Sequence, residues 1–243
     1  MIRFSSIRIL FLNRMIKSIS IFLIFAAILL LMASPGPSSG RSDETQILAV
    51  VQRMESAFKT VVNYSCEVEV VYYQNGIEDK YYQFKFYFKR DKKIRVDFSQ
   101  PYPGLSIFYN EGDKEATVKP FRFLPAVKFR FSIDNPMIKT LAGQKIDQTD
   151  MGYFIDFLSR NLKMVKQKEE EEFHEDEEQI KFLFLAMDYI KEKSVEKYRI
   201  FVSKKNWLPI RIERYNLEGQ LIEVSILQNY TINTHLEDKY FLP

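Results

Sequence analysis

The sequence predicts an α+β fold: a curled antiparallel sheet, an incomplete β-barrel, packed with two helices. Three observations lead there. Apolar and polar residues alternate with period two through residues 63–119 and again through 179–232. Two stretches, near 42–62 and 149–162, carry a helical period instead. Aromatic residues make up 15% of the chain, with 21 Phe and 14 Tyr, and they gather in the alternating stretches more than in the helical ones. The expected order is helix, meander, loop and helix, meander, with roughly eight to ten strands.

The first forty residues read as a secretory signal peptide. Arg3, Arg8, Arg14 and Lys17 form a basic leader, and Ile19 to Ala33 is an apolar run broken by Ser20. Ser38 and Gly40 suit cleavage before Arg41, and Met15 is an alternative start. A retained anchor is the rival reading, but the run is short for a span of roughly 20 residues. No cysteine stands at its end, where a lipidated one would be, so the expectation is that the chain is not itself an acylated lipoprotein. Residues 41–243 are then one domain. Four of the 35 basic residues leave with the leader, so 31 face 32 acidic ones, a formal net charge of −1. That balance gives no electrostatic case for nucleic acid.

Residues 42–62 open the domain. Ile47, Val51, Met54, Phe58 and Val61 share a helical face, which Leu48 and Val62 widen, and Ser42 or Asp43 caps its start. The period then changes to two. Cys66, Val68, Val70 and Tyr72 oppose Ser65, Glu67 and Glu69, and Asn75-Gly76 is a hairpin turn. On the returning strand Phe84, Phe86 and Phe88 point one way, against Lys85, Tyr87 and Lys89. Arg90-Asp91-Lys92-Lys93 makes a charged turn, after which Ile94, Val96 and Phe98 repeat the pattern. Strands through Leu105–Tyr109 and Glu115–Phe121 follow. Residues 121–150 have no clean period and are long for a plain connection. Thr149 or Asp150 caps a second helix, with Met151, Phe154, Ile155, Leu158 and Leu162 on one face. The charge run 166–179 reads as a solvated turn, and residues 180–190 as a central strand. Three more strands and a tail from 233 to 243 close the chain.

Catalytic and metal chemistry find little support, and the expectation is no enzyme, no metal and no cofactor. His174 and His235 are the two histidines, and "FHEDEE" lacks the second histidine of a zinc motif. Cys66, the single cysteine, lies on an apolar strand face and reads as a buried, inert thiol. Eight glycines leave no phosphate-cradling loop. Asn63-Tyr64-Ser65 and Asn229-Tyr230-Thr231 match a short glycosylation sequon.

Phe86-Tyr87-Phe88-Lys89-Arg90, then Ile94-Arg95-Val96-Asp97-Phe98, then Gln100-Pro101 resemble the periplasmic outer-membrane lipoprotein carriers, the Lol-type lipoprotein-sorting family. The closing "WLPIRIERYNLEGQLIEVSI" and "INTHLEDKYFLP" look like that family's last hairpin and tail, so the resemblance covers most of residues 44–119 and 198–243. It implies that the sheet encloses a hydrophobic cavity with helices as a lid. It implies a monomer in the periplasm that takes acylated lipoprotein or lipid cargo from an inner-membrane donor and delivers it to an outer-membrane acceptor. Phe84, Phe86, Phe88, Ile94, Val96 and Phe98 would line the cavity, and Arg90 matches the arginine that latches the lid. Asp91 departs from the family's usual proline, and residues 120–150 match poorly. A periplasmic sensor or regulatory module on the same fold is the alternative. A carrier also needs a way to release its load, because each buried methylene contributes roughly 0.8 kcal/mol. An interior filled by its own aromatics when empty offsets that gain.

Overall fold

Alternation builds the first meander, and turn chemistry sets where it folds back. The structure, a computed structural model, describes residues 42–124, 126–164, 172–188 and 194–243. The reading of residues 1–40 as a signal peptide lies outside them, as do the side chains of Ser42 and Asp43. Helix α1 (Ser42–Lys59) leads into β1 (Asn63–Gln74), which pairs antiparallel with β2 (Ile77–Lys89) across Asn75-Gly76. Both turn residues have positive φ, 52° and 77°, as a tight hairpin of this twist requires. Next come β3 (Lys93–Gln100), β4 (Ser106–Tyr109), β5 (Glu115–Lys119) and the short β6 (Phe129–Ser132). Helix α2 (Met151–Met164) separates this wing from the second. That wing holds β7 (Phe173–Glu175), β8 (Gln179–Asp188), β9 (Ser194–Ser203), β10 (Pro209–Tyr215) and β11 (Leu221–Ile232).

The two wings join where β1 pairs antiparallel with β11, giving one eleven-stranded sheet in the order β6-β5-β4-β3-β2-β1-β11-β10-β9-β8-β7. It does not close. Its edges are strands of four and three residues, which leaves few unpaired backbone groups for another chain to extend.

Eleven described strands exceed the eight to ten expected, because two lay in stretches that read as irregular. β6 forms inside the aperiodic loop. β7 forms inside the charge run, where Phe173 pairs with Phe182 and His174 with Lys181. β8 is not central: it is second from an edge. Its apolar run is nevertheless two-sided, with Ile180, Phe182, Phe184 and Ala186 buried inside and Leu183 half-buried outside.

Both helices lie on one face of the sheet. Ile47, Val50, Val51 and Met54 of α1 join Ile155 and Leu158 of α2 against Phe182, Phe184, Ile200 and Val202 of the second wing. Leu48 and Val62 are exposed and do not widen the helical face as expected. Asp150 caps α2, accepting the Tyr153 N–H at 3.1 Å, while the Thr149 hydroxyl turns back to Ile146 O. A second cluster fills the first wing, from Tyr64, Cys66, Val68 and Val70 across to Val118. Phe58, Ile212, Tyr230 and Ile232 touch both clusters.

Candidate functional site

Period two and a β2–β3 register that runs without a shift from Phe84 to Lys89 bring the predicted ligand-facing residues together. Phe88 pairs with Ile94, Phe86 with Val96 and Phe84 with Phe98 on β2 and β3. On the other side Phe88 faces Tyr64, Phe86 faces Cys66 and Phe84 faces Val68. All six predicted apolar residues therefore sit on the inner face of the sheet. Phe86, Phe88, Ile94 and Val96 are buried, and Phe84 and Phe98 are half-buried toward the far end. Tyr64 stacks on Phe86 at 5.9 Å and on Phe88 at 5.2 Å, and Phe84 meets Phe98 at 5.3 Å.

The chain itself covers this face. Phe58, at the end of α1, lies 5.9 Å from Phe88 and 6.3 Å from Tyr64. Gly152 lets α2 close over the same ring, since a Cβ there would stand 2.6 Å from Phe58 Cε1. Ile133, Ile138 and Ile146, from the segment between β6 and α2, pack on the first-wing cluster. The Tyr64 hydroxyl accepts the Met151 N–H at 3.0 Å. The later part of the aperiodic stretch, residues 133–150, thus supplies a filling layer, which is why no two- or 3.6-residue period describes it. An open cleft of about 720 Å³ runs between the β9–β10 turn and β11, lined by Asn206, Ile210 and Ile226 and bordered by Leu227 and Tyr230 of the first-wing cluster. It contains none of the predicted residues.

Arg90 sits at the mouth of the covered face. One guanidinium nitrogen donates to Phe58 O at 3.0 Å, which also accepts the Val61 N–H at 3.0 Å, and to Lys59 O, both carbonyls of the last turn of α1. The Arg90 backbone N–H donates to Val62 O at 2.8 Å. The β2–β3 turn presents it through Asp91 and Lys92, whose φ values are 67° and 44°. Proline, fixed near −65°, cannot take the conformation of Asp91, so this turn differs in kind from one carrying proline there. Lys92 Nζ reaches Asp147 O at 3.5 Å, tying the same turn to the filling segment.

Three features were not foreseen. Asn233 is a second clasp: its Oδ1 accepts the Val62 N–H at 2.7 Å and its Nδ2 donates to Thr60 O at 3.0 Å. Its neighbour Asn63 is buried and accepts the Thr234 N–H at 3.1 Å, so that sequon is part of the fold. The tail crosses the outer face of the first wing. There Asp238 pairs with Lys89 at 2.7 Å and Lys93 at 2.8 Å, and Tyr240 meets Tyr87 at 5.2 Å. Hydrogen bonds from those two lysines lower the Asp238 carboxyl to about 2. Third, an ion cluster stands on the inner face: Arg214, 5% exposed, lies 2.9 Å from Glu223 and 3.5 Å from Glu196. Cys66 behaves as expected, with burial pushing its thiol up to about 12.

No protein-family model and no curated protein sequence matches the chain. Solved structures do. A DUF1329 family protein from Desulfovibrio piger has 14% identity and a TM-score of 0.45, covering 82% of this chain and 97% of that one. A putative outer membrane lipoprotein-sorting protein domain from Vibrio parahaemolyticus has 15% identity and a TM-score of 0.41, with the same coverage. A LolA superfamily protein from Nitrosomonas europaea has 16% identity and a TM-score of 0.40, covering 80% and 96%. Identity this low transfers no residue roles, so those of this chain rest on its own geometry.

Proposed function

We propose that the chain is a periplasmic carrier, without catalytic activity, that takes acyl chains onto the inner face of β1–β5 and delivers them toward the outer membrane. The observation that carries this reading is the Arg90 clasp over a self-filled aromatic face. A guanidinium on the last carbonyls of a helix stabilises that helix end in any protein; here it also fastens the end of the covering helix to the β2–β3 turn across the aromatic face, which is the contact a lid that opens and re-closes requires. The form described here, with Phe58 and the 133–150 segment over the aromatic face, is its closed state. Loading parts Phe58 and the 133–150 segment from Phe84, Phe86, Phe88 and Phe98. Re-closure then competes with the bound chains and lowers the cost of release. The cargo class is the acyl portion of a lipoprotein or lipid, because the face is apolar throughout and offers the chain no charged group between Phe86 and Val96. The test is mass spectrometry of lipids extracted from the protein purified from its native periplasm. Stoichiometric acyl lipid supports the carrier; a protein without lipid, and without uptake of any added fatty acid, refutes it.

A further inference from the structure

A group of exposed aromatic residues lies at the end of the first wing opposite the Arg90 clasp. Antiparallel order puts the β1–β2, β3–β4 and β5–β6 connections at one end of the first wing, opposite the β2–β3 turn that carries Arg90. At that end Phe121, Phe123, Leu124 and Phe129 are exposed, Phe123 by 77% and Phe129 by 50%. Tyr102, 55% exposed, joins them from the β3–β4 turn. That turn touches the same loop: a Cβ built on Gly104 would stand 3.3 Å from the Arg122 backbone nitrogen. Phe121 and Phe123 contact each other at 5.4 Å, which holds two rings together at the tip rather than in the core.

Cations interleave these rings. Residues 116–131 contain Lys119, Arg122, Lys128 and Arg130 and no acidic side chain. Lys128 is engaged by Pro243 O at 2.7 Å. Arg122 and Arg130 are exposed and carry no ion pair among the described residues. Outside 116–131 the domain holds 27 basic and 32 acidic side chains, a net −5, so this positive excess is local to the tip.

We propose that this end of the sheet docks on an anionic lipid bilayer, with Phe121, Phe123 and Leu124 entering the headgroup region and Arg122 and Arg130 meeting lipid phosphates. Rings beside cations fit that boundary, where one side is apolar and the other wet and negative. A second copy of the chain fits worse. A two-fold contact through this patch would set its cations against their own equivalents without an anion within 116–131. The inference does not depend on what the inner face holds.

The experiment uses residues 42–243, which contain both hydrophobic clusters and every described strand, because the apolar run in the first 41 residues would bind vesicles itself. Sedimentation with vesicles of phosphatidylcholine alone, or mixed with phosphatidylglycerol, is measured without any acyl ligand. The wild type is expected to bind the mixed vesicles at least about tenfold more tightly, with binding weakened by salt. Arg122→Glu with Arg130→Glu, and separately Phe121→Ser with Phe123→Ser, should each lower that binding about tenfold or more. Both pairs are exposed, and an unchanged circular dichroism melt confirms the fold. Equal binding to both vesicle types, unaltered binding by either double variant, or a wild-type dimer that Phe123→Ser makes monomeric would overturn the proposal.

Discussion

Replacing Arg90 with leucine removes the two hydrogen bonds to Phe58 O and Lys59 O and leaves the β2–β3 turn otherwise intact. Bonds from a charged donor contribute about 1.5–3 kcal/mol each when sheltered. Arg90 is solvent-exposed, so water replaces much of what is lost, and about 1–2 kcal/mol in total is the fair expectation. That magnitude shifts the open–closed balance by roughly 5–30-fold. Global stability should fall by no more than this. Opening, in contrast, should change selectively: amides in the last two turns of α1 should exchange faster by that factor, while amides in β1 and β2 stay protected. Affinity for a fluorescent fatty acid should rise, because closure no longer competes with loading, and transfer from loaded protein to acceptor vesicles should slow by a similar factor. Arg90→Lys should fall between, since a single ammonium on a flexible stem meets the two carbonyls less well than a planar fork. The reasoning fails if Arg90→Leu matches the wild type in both exchange and transfer; Arg90 is then a surface charge.

Phe88 is too buried to serve as a binding-only probe: Phe88→Ala should cost about 3–5 kcal/mol and show as a lowered thermal midpoint. Phe98, half-buried, is the better position, and Phe98→Asp should abolish fatty-acid uptake with the circular dichroism spectrum retained. Gly152→Ala should destabilise by about 1–3 kcal/mol in urea titration, because its methyl displaces the Phe58 ring. The Asp238 carboxyl is depressed in the folded protein, so its contribution is present above the unfolded value near 3.9 and disappears as pH falls through about 2. Tail protection against proteolysis should accordingly be flat from neutral pH down to about 4, and Asp238→Asn should expose the tail at neutral pH. Cys66 should resist thiol reagents until the protein is unfolded, given a thiol held near 12.

The first wing could be read because each of its strands obeys one rule at a time. Phe84, Phe86 and Phe88 alternate with charged or polar residues, and their partners Phe98, Val96 and Ile94 do the same, so face and register follow together. The Arg90 clasp could be reached through the resemblance, although alternation alone marks Arg90 as nothing more than a strand end. The filling segment could not be read, because its residues pack by tertiary contact from turns and short 3₁₀ stretches such as Pro136–Ile138 and Ile146–Gln148. Arg214 carried no signal of its role for a different reason. Period two places it on the inner face with Ile212, against the expectation that a guanidinium points to water. Its register partner Glu223 and the nearby Glu196 compensate it there, and neither is adjacent in sequence. Lys93, which reads as a solvent-facing charge, instead meets Asp238 across 145 residues of chain.

The most direct test of the central claim is photo-crosslinking with a fatty acid that carries a diazirine near its methyl end, followed by peptide mapping. The carrier account predicts saturable labelling of peptides containing Phe84, Phe86, Phe88 or Phe98, suppressed by excess unlabelled fatty acid and reduced in Phe98→Asp. Labelling that does not saturate, or that falls on the Asn206–Ile210 and Ile226–Tyr230 cleft and spares β2 and β3, would contradict it.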